Sequence, residues 1–428
     1  ATPEATKVPE TTPEATKAPE QSAAPETVSN GTLNSGDYYF KELSVSESYY
    51  LNETEYPVHV EYKDQETKVI VAEVQAEDTQ TTVKVSKTAI TNNEELVGCG
   101  LQITDEDGNV IVKWVSGDEN SIELNEKLSE MGYQNFETSF NDDGTLQING
   151  LFHDTTYTMT ETRPADGFVT AESIAFQLVE GEAGTTIVFV FQGEDMVRQE
   201  DAVVRMVDDT TKVEISKTDI TGSEEIEGCR LQITDKETGE VIEKWTSTKE
   251  KHIIEQKFIV GKTYVLTEKK PADGYATAAD VEFTVNDTGE VQGVQMKDDT
   301  TKIRLIKLGS DTGQGLRGAK FEVYDKDNKK VFSFTSKEDG YDITGILAVG
   351  GTYTFKEVEA PKGYQLAKAV KYTVKDTGEV QEISITDKKT PKPHVPQTGG
   401  NTPFTVVSFL LLLVGSGVYL FRKKKVRV

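Results

Sequence analysis

Thr-Tyr-Val-Leu-Thr-Glu-Lys-Lys-Pro-Ala-Asp-Gly-Tyr, residues 263–275, returns as TYTFKEVEAPKGY at 352–364 and as TYTMTETRPADGF at 156–168. In an extended chain, side chains two apart share a face. Tyr264, Leu266 and Glu268 therefore share one, as do Tyr353, Phe355 and Glu357, and Tyr157, Met159 and Glu161. A second motif precedes each copy: DDTTKVEISKTDIT (208–221), DDTTKIRLIKLGSD (298–311) and the looser EDTQTTVKVSKTAIT (77–91). Its alternation aligns Val213, Ile215 and Lys217, then Ile303, Leu305 and Lys307, and Val83, Val85 and Lys87. At the far end of each repeat Val294, Met296 and Asp298 line up, as do Ile383, Ile385 and Asp387, and Val204, Met206 and Asp208. Each repeat thus sets one Lys, one Glu and one Asp on the apolar faces of its first, a middle and its last strand. In the last two repeats Lys precedes Glu by 51 and 50 residues and Asp by 81 and 80; in the first the offsets are 74 and 121, through insertions around 117–148 and 179–202.

The segments between are short, β-branched and alternating, with turns such as Asp107-Gly108, Thr238-Gly239 and Thr377-Gly378. This is the pattern of hairpins and small sandwiches, so the fold class is all-β. Asp208 stands nine residues before Lys217, and Asp298 nine before Lys307, so one repeat runs into the next without a flexible linker and the array reads as a semi-rigid rod. The boundaries are 81–210 with insertions, 211–300 and 301–389, preceded at 29–80 by a partial repeat that has Glu42 and Asp78 but no inward Lys. DYYFKEL (37–43) opens this partial copy, which lacks the Pro-x-x-Gly-Tyr ending.

The chain has 428 residues, 46 Lys+Arg against 73 Asp+Glu, and a net charge of -27. Such acidity argues against a nucleic acid partner. Two cysteines make neither a disulfide framework nor a four-ligand zinc site, and four scattered histidines offer little imidazole chemistry; no cofactor or metal is expected. Cys99 and Cys229 read as small core fillers, where the last repeat has Ala319. Gly313-Gln-Gly315-Leu-Arg-Gly318 spells a dinucleotide-binding pattern but lies between strands, so it reads as a turn, as does Asp105-Glu-Asp107-Gly108. No Ser/His/Asp or Cys/His grouping supports hydrolytic chemistry, and the chain does not read as an enzyme.

The ends differ from the middle. Five of the 13 prolines fall in residues 1–25 and four in 391–403. The tract at 1–28, with Thr-Pro-Glu-Ala-Thr-Lys repeated, lacks the apolar bulk to order itself and reads as a disordered linker. Within 403–428, the 18 residues Phe404–Phe421 carry no charge and are followed by Arg422, Lys423, Lys424, Lys425 and Arg427, the signature of a transmembrane helix with a cytoplasmic basic tail. The first residue is Ala1, and a chain with this C-terminus requires export, so an upstream segment is expected.

Two resemblances follow. In the spacer 390–402, Val395-Pro396-Gln397-Thr398-Gly399 ahead of the apolar segment and basic tail resembles the LPXTG-type cell-wall sorting signal of Gram-positive surface proteins, with Val395 in place of Leu. It implies cleavage by a sortase between Thr398 and Gly399 and transfer of the Thr398 carboxyl to an amine of peptidoglycan or of a pilin lysine. The repeats resemble the prealbumin-like SpaA and Cna B-type domains of Gram-positive adhesins and pilins. Tyr264, Leu266, Glu268, Pro271, Gly274 and Tyr275 match the E-box of that family, and Tyr353, Phe355, Glu357, Pro361, Gly363 and Tyr364 fit it with one aromatic substitution. The resemblance implies Ig-like β-sandwiches and spontaneous isopeptide bonds Lys217–Asp298 assisted by Glu268, Lys307–Asp387 by Glu357, and Lys87–Asp208 by Glu161. Burial favours the neutral form of both amine and carboxyl, and so suits that chemistry. The protein implied is a wall-anchored stalk, adhesin or accessory pilin at the cell surface. No Tyr-Pro-Lys type acceptor motif of a shaft pilin occurs. Two other readings stand beside it: a module at 81–210 binding a host or matrix ligand, and the stalk of an enzyme whose catalytic domain lies upstream.

Overall fold

The computed structural model describes residues 14–17, 35–61, 63–64 and 75–392. The third unit shows the plan most simply. Lys302–Gly309 is the middle strand of a three-stranded sheet, antiparallel to Tyr341–Thr344 and parallel to Val380–Asp387. Facing it is an antiparallel sheet ordered Lys330–Thr335, Lys320–Tyr324, Thr352–Glu359, Val370–Thr373. Ile303, Leu305, Phe321, Val323, Phe355, Ile383 and Ile385 fill the space between. These are the alternate apolar residues of their strands, so removing them from water drives the two sheets together.

The second unit repeats this plan. Lys212–Asp219 lies between His252–Glu255 and the parallel Gln292–Asp298, opposite the sheet Val241–Thr246, Arg230–Asp235, Thr263–Lys270, Val281–Thr284. In the first unit Thr82–Ala89 pairs in parallel with Val203–Asp208. The inserted residues there become added strands. Glu137–Phe140 extends the small sheet, and Asp118–Leu124 lies at one edge of the large one. The hairpin Thr186–Gln192 and Asp195–Arg198 widens the other edge, bringing that sheet to seven strands.

The joints are built alike. Thr211 N donates to Gly167 O at 2.9 Å, Val169 N to Asp209 O at 3.0 Å, and Thr170 N to Asp287 Oδ1 at 2.8 Å. At the next joint Thr301 N donates to Gly274 O at 2.8 Å, Ala276 N to Asp299 O at 2.9 Å, and Thr277 N to Asp376 Oδ1 at 2.8 Å. Gly167 (φ +92) and Gly274 (φ +91) occupy the left-handed region, and a Cβ on either would collide with backbone of the following unit, at Gln256 and Gly345 respectively. The glycine of the Pro-x-x-Gly motif thus serves the turn and the joint together.

Ahead of the first unit, Gly36–Lys41 pairs with Tyr56–Val60, and Tyr49–Tyr50 with Thr79–Gln80. Within the tract read as an unpaired linker, the backbone of Glu14–Lys17 is a strand antiparallel to Gly36–Lys41. That edge is otherwise open, and an already extended segment is suited to it. The rest of the 1–28 tract, the pentapeptide Val395–Gly399 and the apolar segment Phe404–Phe421 lie outside the described residues. Among the described residues no helix is long and apolar enough to cross a membrane.

Candidate functional site: a buried lysine, aspartate and glutamate in each unit

Parallel pairing of first and last strands brings lysine and aspartate together. Lys217 is opposite Met296, and Lys307 opposite Ile385, so the aspartate two residues further on is a diagonal neighbour on the same inward face. Lys87, opposite Met206 and diagonal to Asp208, repeats the arrangement despite the insertions. The glutamate arrives from the facing sheet. In each unit the register slips immediately beyond it, at Glu161/Arg163, at Glu268/Lys270 and at Glu357/Glu359. A bulge there ends the regular alternation and leaves the carboxylate aimed inward.

All nine residues are buried, none more than 5% exposed. Each lysine Nζ donates to its aspartate Oδ1: Lys87 to Asp208, Lys217 to Asp298, and Lys307 to Asp387. The glutamate Oε1 faces the same amine at 3.1 Å for Glu161 and Glu268 and 3.3 Å for Glu357. Its second oxygen accepts a backbone N–H ten residues on, from Ala171 at 2.7 Å, Ala278 at 2.8 Å and Ala367 at 2.7 Å. The sequence reading placed these residues on apolar faces, and the structure brings the three of each unit into contact.

Fully ionised, each triad would leave one uncompensated negative charge in a dry core, which is costly. Burial pushes the carboxyls of Asp208 and Asp298 up to about 6 against the lysine hydrogen bond, and the neighbouring glutamate adds to the rise. Burial likewise raises the Glu357 carboxyl. The arrangement therefore holds an amine against a carboxyl inclined to keep its proton.

Four further residues touch the triads, two glutamates that the sequence did not single out and the two cysteines read there only as core fillers. Glu95 Oε2 accepts the Lys87 backbone N–H at 2.9 Å and Glu225 Oε2 that of Lys217 at 2.7 Å, each clamping the lysine strand. The thiols of Cys99 and Cys229 are fully buried and reach the aspartates, Sγ lying 3.9 Å from Asp208 Oδ2 and 3.8 Å from Asp298 Oδ2. Alternation sets Cys229 on the inward face with Ile233 and with Leu231, which pairs with Glu268, but its contact with Asp298 comes from the packing of the two sheets. Both cysteines are free. Burial first, and then the carboxylate charge of Glu161 or Glu268, pushes the two thiols up to about 12, so they stay protonated. Cys99, Glu161 and Asp208, like Cys229, Glu268 and Asp298, place ligand-type atoms within 4.8 Å of one another, but the lysine amine already occupies each cluster.

The partial repeat keeps half of this design. Glu42 Oε2 accepts the N–H of Asn52, again ten residues on, at 2.8 Å. Burial, with the charge of Asp78 contributing, raises the Glu42 carboxyl. The glycine-rich stretch 313–318 is a loop between strands, and Asp105 caps a hairpin turn by accepting the N–H of Asn109 at 2.8 Å.

Residues 81–192, 211–300 and 301–389 match the SpaA prealbumin-like fold domain, more than half of the chain, and the protein belongs to that family. The trypsin-resistant surface T6 protein of Streptococcus pyogenes serotype M6 is 31% identical over 142 residues, which cover 30% of this chain and 23% of that protein. Among solved structures, the Bacillus anthracis TIE protein is 18% identical with a TM-score of 0.36, covering 83% of this chain and 58% of its own. A streptococcal ancillary pilin is 19% identical with a TM-score of 0.26, over 73% of this chain and 99% of that one. The shaft pilin SpaA of Lactobacillus rhamnosus GG is 18% identical with a TM-score of 0.23, over 42% and 98%.

Proposed function

We propose that the chain is a structural subunit of a Gram-positive cell surface, a stalk or accessory-pilin-like protein whose three units are each locked by a Lys–Asp isopeptide bond. The observation that carries this reading is the recurrence of one buried triad on the first, last and facing strands of all three units. In each unit the lone pair of a neutral lysine Nζ attacks the aspartate Cγ. A C–N bond forms and a C–O bond breaks. The glutamate carries a proton from nitrogen to the departing oxygen, which leaves as water. Contact between reacting groups at high effective concentration replaces an external catalyst. This is a single self-modification without turnover, and the chain is not an enzyme on this reading.

Anchoring follows from the C-terminal pentapeptide: a sortase cuts between Thr398 and Gly399 and joins Thr398 to peptidoglycan or to a pilin lysine. The names of the relatives, a surface protein and pilins, agree with a surface location. Intact mass is the test of the locked units. Three bonds lower the mass of the full chain by three waters, and a mass equal to the unmodified sequence sinks the proposal. A binding role for the first unit draws support from one feature, its added edge strand Asp195–Arg198, which exposes Met196 and Val197. Loss of ligand capture on replacing both with Lys checks it.

A further inference from the structure

Two units place a thiol against the second oxygen of the reacting aspartate, and the third does not. Cys99 Sγ stands 3.9 Å from Asp208 Oδ2, and Cys229 Sγ 3.8 Å from Asp298 Oδ2. The backbone holds all three sites alike: Cys99 N donates to Ser116 Oγ at 3.0 Å, Cys229 N to Ser247 Oγ at 2.9 Å, and Ala319 N to Ser336 Oγ at 3.0 Å. Where Ala319 replaces the cysteine, Asp387 Oδ2 is left buried with no hydrogen-bond partner among the described residues. The lysine in each unit contacts Oδ1.

We propose that Cys99 and Cys229 are oxyanion donors for bond formation in the first two units, a role that rests on the isopeptide reading above. When the amine lone pair adds to Cγ, negative charge moves onto Oδ2. The S–H donates to that oxygen and keeps its own proton throughout. One amine proton passes through Glu268 to Oδ1, which already carries the acid proton, and Oδ1 departs as water while the C=O reforms at Oδ2. A donor aimed at the atom where charge develops lowers the barrier more than it stabilises the starting acid. The thiol is a weak donor at a long distance, so its effect is smaller than that of a backbone N–H. The third unit lacks this help. It also differs at Phe321, whose ring lies 5.8 Å from Lys307 Nζ, so substitutions within one unit isolate the thiol better than comparison between units.

The test uses the full chain, produced unfolded in denaturant and refolded by dilution. Samples are quenched in acid and digested, and the cross-linked peptide of each unit is quantified by mass over time. Cys229→Ala slows formation of Lys217–Asp298 by about tenfold and leaves the other two bonds unchanged, a modest fraction of what a strong oxyanion donor contributes. Ala319→Cys speeds Lys307–Asp387 by a similar factor. A cavity left by the lost sulfur could slow the second unit for purely structural reasons, whereas only a chemical role makes the added thiol accelerate the third. Rates indifferent to both substitutions overturn the donor role while the bonds themselves stand. So does a Lys307–Asp387 rate that Ala319→Cys does not raise. Absence of every cross-link from the unsubstituted chain overturns the isopeptide reading, and the thiol's role with it.

Discussion

At the scale of single residues, the triad chemistry depends on who holds the protons. Neutral amine beside neutral acid contains as many protons as the ion pair, so the reactive form is one internal proton transfer away. With the Asp208 and Asp298 carboxyls raised by burial to about 6, acidification below that point gives the pair one proton more than the reactive neutral form holds. An ammonium has no lone pair, and attack stops. Cross-linking of the first two units therefore slows about tenfold per pH unit below about 6, read from time courses of refolding in buffers of stepped pH. Removing the relay has a separate signature. Glu268→Ala and Glu357→Ala each leave one bond unformed, so each variant falls two waters, not three, below the mass of its own sequence; a three-water deficit in either variant rules out the relay. The lysines, glutamates and aspartates were legible because strand alternation alone fixes the face of each. The thiol contacts were not, since they depend on how two strands of opposite sheets meet in depth, a relation that no single strand's periodicity encodes.

At the scale of strands, the decisive feature is parallel pairing between the first and last strand of a unit. The proposed isopeptide bond there would close a loop of 81 residues between Lys217 and Asp298. Constraining the unfolded chain in this way stabilises the unit by about 4.5 kcal/mol on the chain-entropy model. Glu268→Gln, which retains a side chain of the same shape but not the relay, lowers the stability of the second unit by about that amount in denaturant titration. An unchanged midpoint shows that the bond is absent or carries no stability. The sequence spacing foretold the closing strands of all three units, including the stretched first one, because the motif at each end survived insertion between them. It did not foretell that the inserted residues would become edge strands such as Asp195–Arg198, or that Glu14–Lys17 would pair with Gly36–Lys41. Edge pairing costs little to gain or lose, and short polar strands carry no strong pattern of their own.

At the scale of the whole molecule, the two joints share the same bonds in the same order. Asp287 and Asp376 each reach back to cap an N–H of the preceding unit, at Thr170 and Thr277. Asp287→Ala with Asp376→Ala widens the spread of angles between units without altering the cross-link masses. Small-angle scattering reads this as a smaller maximum dimension, and an unchanged curve places joint stiffness in the backbone pairs alone. The nine-residue step from Asp298 to Lys307, like that from Asp208 to Lys217, has a further meaning once the bonds are closed. A pull on the two ends enters a unit through its lysine, crosses to its aspartate and passes straight to the next lysine. The residues folded between them, over separations of 121 in the first unit and of 81 and 80 in the other two, lie outside the load path. Such a molecule behaves as a chain of short inextensible links, each about 30 Å of backbone at most. Its force–extension curve rises without the sawtooth of unfolding domains, and the units stay folded until a covalent bond breaks.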